Sequence, residues 1–146
     1  MIRRGRIEDL DKITEIENRV FWEPWPKNQL LVELSQCSGK IVNVIEDSCI
    51  IGYIMIQKVE NEAQVLNIAI DIPFQHRGFG KKLFKYSLDE LGKETDVFLE
   101  VRKSNLSAIK LYSEFNFEDI GIRREYYSDG EDAIIMQRKT EMYDLV

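Results

Sequence analysis

Gln75-His76-Arg77-Gly78-Phe79-Gly80 is the stretch of this chain best equipped for chemistry. It lies between a β-rich apolar run at 65–70 and an amphipathic helical pattern at 81–91. A strand, a glycine turn and a helix together offer bare backbone N–H groups and the positive end of a helix dipole, an arrangement suited to phosphate. Glycines remove side chains where a pyrophosphate would approach the main chain, and they accept the backbone angles of such a turn. The stretch reads as an anion cradle, with a plain glycine-rich turn as the alternative. It is neither of two familiar cradles. A dinucleotide fingerprint needs a third glycine where Leu83 stands, and a Walker A loop needs four residues between its glycines followed by Gly-Lys-Ser/Thr.

The charges nearby point the same way. Arg77, Lys81, Lys82 and Lys85 crowd the first turns of the helical pattern, where the dipole disfavours cations, in a chain of formal net charge −6. A bound polyphosphate offsets them; a metal does not, and no ligand set for one is in reach. Two further groups could move protons. Glu100 interrupts the apolar run Phe98-Leu99-Glu100-Val101, so its carboxylate must reach water, a partner or a site at the strand's end. Tyr112 lies on the apolar face of a helical pattern. Taken alone, Glu100 reads first as a surface carboxylate at a strand terminus, and Tyr112 is more often a core tyrosine with a hydrogen-bonded hydroxyl.

The elements that must position these groups follow from periodicity. Residues 2–6 predict a short strand, and 7–21 a helix with Ile13, Ile16 and Val20 at helical spacing. Trp22-Glu23-Pro24-Trp25-Pro26 breaks it, and Pro26 opens a second helix over 27–34 with Leu30, Leu31 and Leu34 inward. Three strands at 40–45, 49–59 and 61–70 form an antiparallel meander. A third helix spans 78–91 with Gly92 as its C-cap, then a buried strand at 96–101. Ser104 is the expected N-cap of a fourth helix through 115, with Ala108, Leu111, Tyr112 and Phe115 on one face. Strands at 117–127 and 133–138 bracket a hairpin turn, Ser128-Asp129-Gly130-Glu131. The order is β-α-α-β-β-β-α-β-α-β-β.

Gln75, Gly78 and Gly80 occupy the defining places of Gln/Arg-x-x-Gly-x-Gly/Ala, the acyl-CoA pyrophosphate loop of the GNAT superfamily of N-acetyltransferases, which the chain resembles. The element order is also that family's. The run from Leu99-Glu100-Val101-Arg102 through Asn105, Ala108 and Leu111-Tyr112 to Phe115-Asn116-Phe117 is similar to one subfamily, the RimI-type ribosomal-protein-alanine N-acetyltransferases. So are Arg123-Arg124-Glu125-Tyr126-Tyr127 with Gly130-Glu131-Asp132-Ala133, and Phe21 through Trp25-Pro26. Asn116 stands where glycine is usual, and asparagine also tolerates left-handed angles. Pro26 replaces the usual serine.

The resemblance implies an α/β (α+β) GNAT fold: a single domain over 1–146 with a mixed sheet of about seven strands flanked by four helices. It implies acetyl-CoA as co-substrate, held by main-chain groups of Ile68, Ala69 and Ile70, by the loop Gln75, His76, Arg77, Gly78, Phe79, Gly80 and Lys81, and by Asn105 and Tyr112. Glu100 would be the general base and Tyr112 the general acid. Trp25, Tyr126 and Tyr127 would line the substrate slot. The implied substrate is the N-terminal alanine of a small-subunit ribosomal protein with a basic tail. An α-amine, with a pKa of about 7.7–8.0, asks less of a base than a lysine at about 10.4. Glu125, Asp129, Glu131 and Asp132 could meet the tail or simply solvate a turn. Acetylation of small amines or lysine, and a non-catalytic acyl-CoA-binding module, are the other readings.

Composition bounds these expectations. With 146 residues and 44% hydrophobic content, one domain can bury a real core. The apolar runs are shorter than a membrane span, and the start Met1-Ile2-Arg3-Arg4-Gly5-Arg6 lacks the apolar region of a secretory signal, so a cytoplasmic protein is expected. Cys37 and Cys49 are expected as free thiols. The net acidity argues against nucleic acid and favours cationic substrates. Oligomeric state is left open between a monomer and a weak dimer.

Overall fold

Alternation along Cys49–Val59 sets the architecture, because its side chains enter two different cores: Ile51, Ile54 and Ile56 one, Ile50, Tyr53 and Met55 the other. A strand apolar on both faces needs helices on both faces. In the computed structural model of the chain, which describes residues 1–35 and 37–140, the elements are β1 (Ile2–Arg4), α1 (Leu10–Val20), α2 (Lys27–Leu34), β2 (Lys40–Asp47), β3 (Cys49–Val59), β4 (Glu62–Ile70), α3 (Phe79–Leu91), β5 (Asp96–Arg102), α4 (Leu106–Glu114), β6 (Glu118–Arg123) and β7 (Ala133–Arg138). Short 3₁₀ turns occupy Ile7–Asp9 and Ile72–Phe74. The seven strands form one sheet in the order β1-β2-β3-β4-β5-β7-β6, and β4 with β5 is its parallel pair. This is the expected mixed sheet of an α/β GNAT fold.

Helices α1 and α2 lie over β2 to β4 on one face, where Ile13, Ile16, Leu30 and Leu34 bury against Val42, Val44, Tyr53 and Met55. On the other face Leu83, Phe84, Leu88 and Leu91 of α3 meet Val97, Leu99 and Val101 of β5 and Tyr112 of α4. Phe84 is ringed by Tyr112, Phe115 and Phe117 at 5.2 to 5.6 Å between ring centres. That packing fixes α4, which is short and would be marginal alone.

Several boundaries differ from expectation for local reasons. Residues 7–9 tighten into a 3₁₀ turn, so α1 starts at Leu10. Pro26 is the N-cap of α2, with extended backbone, and not its first residue. Leu31 is 37% exposed; Glu33 takes the third inward place beside Leu30 and Leu34 and is neutralised by Lys40 at 2.9 Å. Asn105, not Ser104, caps α4, its Oδ1 accepting from the Ala108 N–H at 3.2 Å. The strand expected over 117–127 stops at Arg123, and residues 124–132 form a loop in place of a tight turn. Gly92 caps α3, and Asn116 takes φ +69° at the exit of α4, both as expected.

One bulge and one short ladder shape the site. Met55 pairs Asn67 while Ile56 pairs Val65, so Leu66 is an extra residue in β4. The insertion reverses alternation. Ala63 and Val65 face the α3 core, but beyond the bulge Ile68 and Ile70 face it and Ala69 faces the α1 core. The ladder between β4 and β5 joins only Glu62–Gln64 to Asp96–Phe98 among the described residues. From Val65 onward the two strands part, so the main chain of Ile68, Ala69 and Ile70 faces a gap in the middle of the sheet.

Candidate active site

The cradle begins where the gap opens. Asp71 follows β4 and caps the 3₁₀ turn through the Ile72 N–H at 2.9 Å, and Arg19 of α1 clasps its carboxylate at 2.8 Å. The Arg19 guanidinium holds the Asp71 carboxyl below its ordinary range. Gln75 Nε2 donates to the Ile70 carbonyl at 2.9 Å, so its side chain ties the loop to the strand. His76 and Gly78 have φ of +63° and +86°, and Gly78 is the N-cap of α3. A Cβ at Gly78 would meet no atom within 4 Å, so the glycine is there for its backbone angle and for open space above the helix terminus. The first N–H groups of α3 have no intrahelical acceptor. These features fit a pyrophosphate.

The basic cluster is less exposed to its own repulsion than the sequence implies. Lys81 pairs with Glu114 at 3.2 Å and Lys85 with Asp89 at 2.8 Å, while the Arg77 guanidinium lies 5.6 and 5.4 Å from the Phe74 and Phe79 ring centres. Only part of that positive charge awaits an anion. Asn105 stands near the start of α4, with its carbonyl oxygen engaged in the cap.

Glu100 and Tyr112 lie on opposite faces of the sheet. Val97, Leu99 and Val101 point to the α3 core, so Glu100 points the other way, into a cavity of about 290 Å³ lined also by Gln57, Gln64, Phe98 and Arg123. Its side chain is 15% exposed. Arg123 Nε donates to Glu100 Oε1 at 2.9 Å. Hydrogen bonding to Glu100 is the main influence raising the Tyr126 hydroxyl pKa. Tyr112, 7% exposed, belongs to the α3 core. Burial pushes its phenol up to about 12, and Tyr127 adds to the rise. Tyr127, itself raised by burial, senses Glu100 as well. Tyr127 of the 124–132 loop therefore feels the carboxylate and influences the phenol.

That loop is latched. Arg102 donates to Asp129 at 2.8 Å and Glu131 at 3.0 Å, and its guanidinium lies 4.0 Å from the Tyr127 ring centre. Glu131 also accepts from the Ser104 N–H at 2.8 Å, and Asp132 from the Glu125 N–H at 2.9 Å. Ser104 and Arg102 hold the Glu131 carboxyl below its ordinary range. Three of the four acids considered for a basic tail thus serve the loop; Glu125 alone stays with its side chain exposed and outside the latch. Tyr126 and Tyr127 pack edge to face at 5.1 Å.

Trp25 is anchored on the other core. Its N–H donates to Glu17 Oε2 at 2.9 Å, and Glu17 Oε1 accepts from Tyr53 at 2.5 Å and from Asn67 at 2.8 Å. Glu17 is 1% exposed. One carboxylate therefore joins α1, the α1–α2 loop, β3 and the bulge of β4. Burial, then the bond to Glu17, drives the Tyr53 phenol far above its ordinary range. Sequence reasoning overlooked Glu17, although its spacing from Ile13 put a carboxylate on the apolar face of α1. Arg123 and Arg102 gave no comparable signal, because their partners, Glu100 on β5 and the acids of the 124–132 loop, are brought to them only by the fold.

A sheet parted beside a glycine turn that fits a pyrophosphate, with a carboxylate on one face and a phenol on the other, suits an acyl-CoA-dependent transferase. The chain belongs to the acetyltransferase (GNAT) family, whose model matches residues 8–117. Within it the chain is closely related to the RimI-type ribosomal-protein-alanine N-acetyltransferases. A Bacillus subtilis (strain 168) protein provisionally named as a [ribosomal protein bS18]-alanine N-acetyltransferase is 41% identical over 140 residues, 92% of each chain. The crystal structure of the Escherichia coli ribosomal-protein-S18-alanine N-acetyltransferase is similar at TM-score 0.90 and 34% identity, covering 97% of this chain and 94% of that one. Ard1 from Thermoplasma volcanium follows at TM-score 0.83 and 26% identity, covering 94% and 95%. Among the described residues no helix is long and apolar enough to cross a membrane, and no cluster of three acidic, histidine or cysteine side chains could hold a metal ion. Cys37 and Cys49 are free and exposed.

Proposed function

We propose that this chain, acting as one acetyltransferase domain over 1–146 in the cytoplasm, moves the acetyl group of acetyl-CoA to the α-amine of an N-terminal alanine on the basic tail of a small-subunit ribosomal protein. The observation that supports this reading is that Glu100, on β5 just beyond the short ladder to β4, and Tyr112, in the α3 core, lie on opposite faces of the sheet. An amine entering from the cavity meets the carboxylate, and a thioester lying along the main chain of Ile68, Ala69 and Ile70 meets the phenol from the other side. Gln75, His76, Arg77, Gly78, Phe79, Gly80 and Lys81 hold the pyrophosphate in this reading, with Asn105 beside it. Trp25, Tyr126 and Tyr127 border the path of the peptide.

Glu100 takes a proton from the α-ammonium, freeing the nitrogen lone pair to bond to the thioester carbon. As the carbon–sulfur bond breaks, Tyr112 gives its proton to the departing thiolate; the second proton of the attacking nitrogen and the one held by Glu100 pass to solvent, from which Tyr112 is reprotonated. The sum is an amide, a free thiol and one proton released. A phenol at about 12 is fully protonated at neutral pH, as an acid must be before it acts. The desolvation that raises it also raises a thiolate held beside it, which keeps the transfer within reach. The names of the relatives support the alanine substrate, and the exposed Glu125 is the loop acid left to attract a basic tail.

The test is thiol release from acetyl-CoA with a basic peptide beginning with alanine, the same peptide blocked at its N-terminus, and a polyamine. Turnover confined to the free peptide is expected, together with a loss of about 10²-fold or more in kcat for Glu100→Gln at near-unchanged acetyl-CoA binding. Turnover on the blocked peptide or the polyamine would move the substrate to lysine or to small amines.

A further inference from the structure

The proposed chemistry uses Glu100 but leaves its partner unexplained. Arg123 Nε sits 2.9 Å from Glu100 Oε1, so one oxygen of the carboxylate is occupied by a cation. The two side chains are unequal: Glu100 is 15% exposed in the cavity wall, whereas Arg123 is 54% exposed at the end of β6, the outermost strand of the sheet. An ammonium arriving at Glu100 finds a guanidinium already there, and the two cations repel at this range.

Resting on the reading of Glu100 as base, we infer that Arg123 is a positioning residue that acts through Glu100, holding its carboxylate aimed into the cavity and yielding it to the substrate ammonium. The exchange is cheap, since a half-exposed ion pair contributes little and Arg123 can swing toward water from an edge strand. Its guanidinium already lies 5.9 Å from the Tyr126 ring centre, where the ring face favours a cation. After transfer the product amide carries no charge to hold Glu100, so Arg123 returns and the product is displaced. The charged and titratable groups around Glu100 are Arg123 from β6, Tyr126 and Tyr127 from the 124–132 loop with Arg102 behind Tyr127, and Glu62 of β4 across the cavity. Arg123 is the cation bonded directly to the carboxylate.

A structural ion pair and a yielding one differ in kinetics. Arg123→Gln, Arg123→Lys and Glu100→Gln are compared by kcat and KM for the alanine-start basic peptide at low and high salt. In Arg123→Gln the ammonium no longer competes with a guanidinium for the carboxylate, so peptide KM should fall about two- to threefold, while kcat drops because the carboxylate loses its aim. The KM effect should shrink in high salt, where exposed charges are screened. Arg123→Lys should restore both constants. A wild-type KM and kcat in Arg123→Gln at both salt levels, with turnover lost in Glu100→Gln, would overturn the role of Arg123 and leave the base standing. Full turnover in Glu100→Gln would overturn both.

Discussion

Replacing Glu17 with glutamine tests whether one buried carboxylate holds the α1–α2 loop at Trp25 against β3 and the bulge of β4. Glu17 accepts from Tyr53 at 2.5 Å, Asn67 at 2.8 Å and the Trp25 N–H at 2.9 Å, and it is 1% exposed. Glutamine keeps the shape but presents one NH2 to a set of three donors, so at least one buried donor loses its acceptor. That costs about 1–3 kcal/mol, and a central expectation is roughly 2 kcal/mol. Tyr53→Phe removes a single donor and should cost about 1–1.5 kcal/mol. Because both changes strike the same bond, the double variant should lose at least 0.5 kcal/mol less than the two losses added, a coupling of about the size expected for touching groups. Urea unfolding followed by tryptophan fluorescence measures all three, and peptide KM should rise in Glu17→Gln as the α1–α2 loop loosens. Strictly additive losses, or a Glu17→Gln variant as stable as wild type with unchanged KM, would refute the reasoning.

Gly78→Ala forces a φ of +86° on a residue with a Cβ, which costs about 1–2 kcal/mol, yet the new methyl meets no protein atom within 4 Å. Acetyl-CoA affinity by calorimetry should therefore fall more than tenfold while the fold survives; unchanged affinity would remove the loop from the pyrophosphate site. Tyr112 has a phenol pKa near 10 when unfolded and about 12 when folded. Its contribution is complete below pH 10 and fades as pH rises through 12, by about 2.7 kcal/mol for a shift of two units. Tyr112→Phe lacks this term, so its stability relative to wild type should rise by that amount across the window. A constant difference would show that the hydroxyl is not buried.

Much of this molecule was legible because its signals are local. Periodicity placed β3 and β7 at the residues where they occur, since alternating apolar residues bounded by turn formers allow few other starts and stops. Gly78, Gly92 and Asn116 marked turns because few residues tolerate a positive φ. Errors fell where long-range contact overrules local pattern. Glu33 displaced Leu31 from the inward face of α2 because Lys40, on another element, neutralises it. The strand expected to reach 127 ends at Arg123 because Arg102 and Ser104 draw Asp129 and Glu131 away from a simple hairpin.

The sequence by itself determined the kind of protein: the order of elements, the glycine cradle and the presence of Glu100 and Tyr112 depend on neighbours along the chain. Tertiary structure alone decided how those groups face one another. The bulge at Leu66 reverses the alternation of β4, the short ladder leaves a gap beside β5, and packing on α3 puts Tyr112 on the face away from Glu100. Glu17 under Trp25, Arg123 on Glu100 and Arg102 on the acidic loop all join residues distant in sequence. Such pairings follow from strand register and sheet order, which depend on the packing of the whole sheet and cannot be read from one segment.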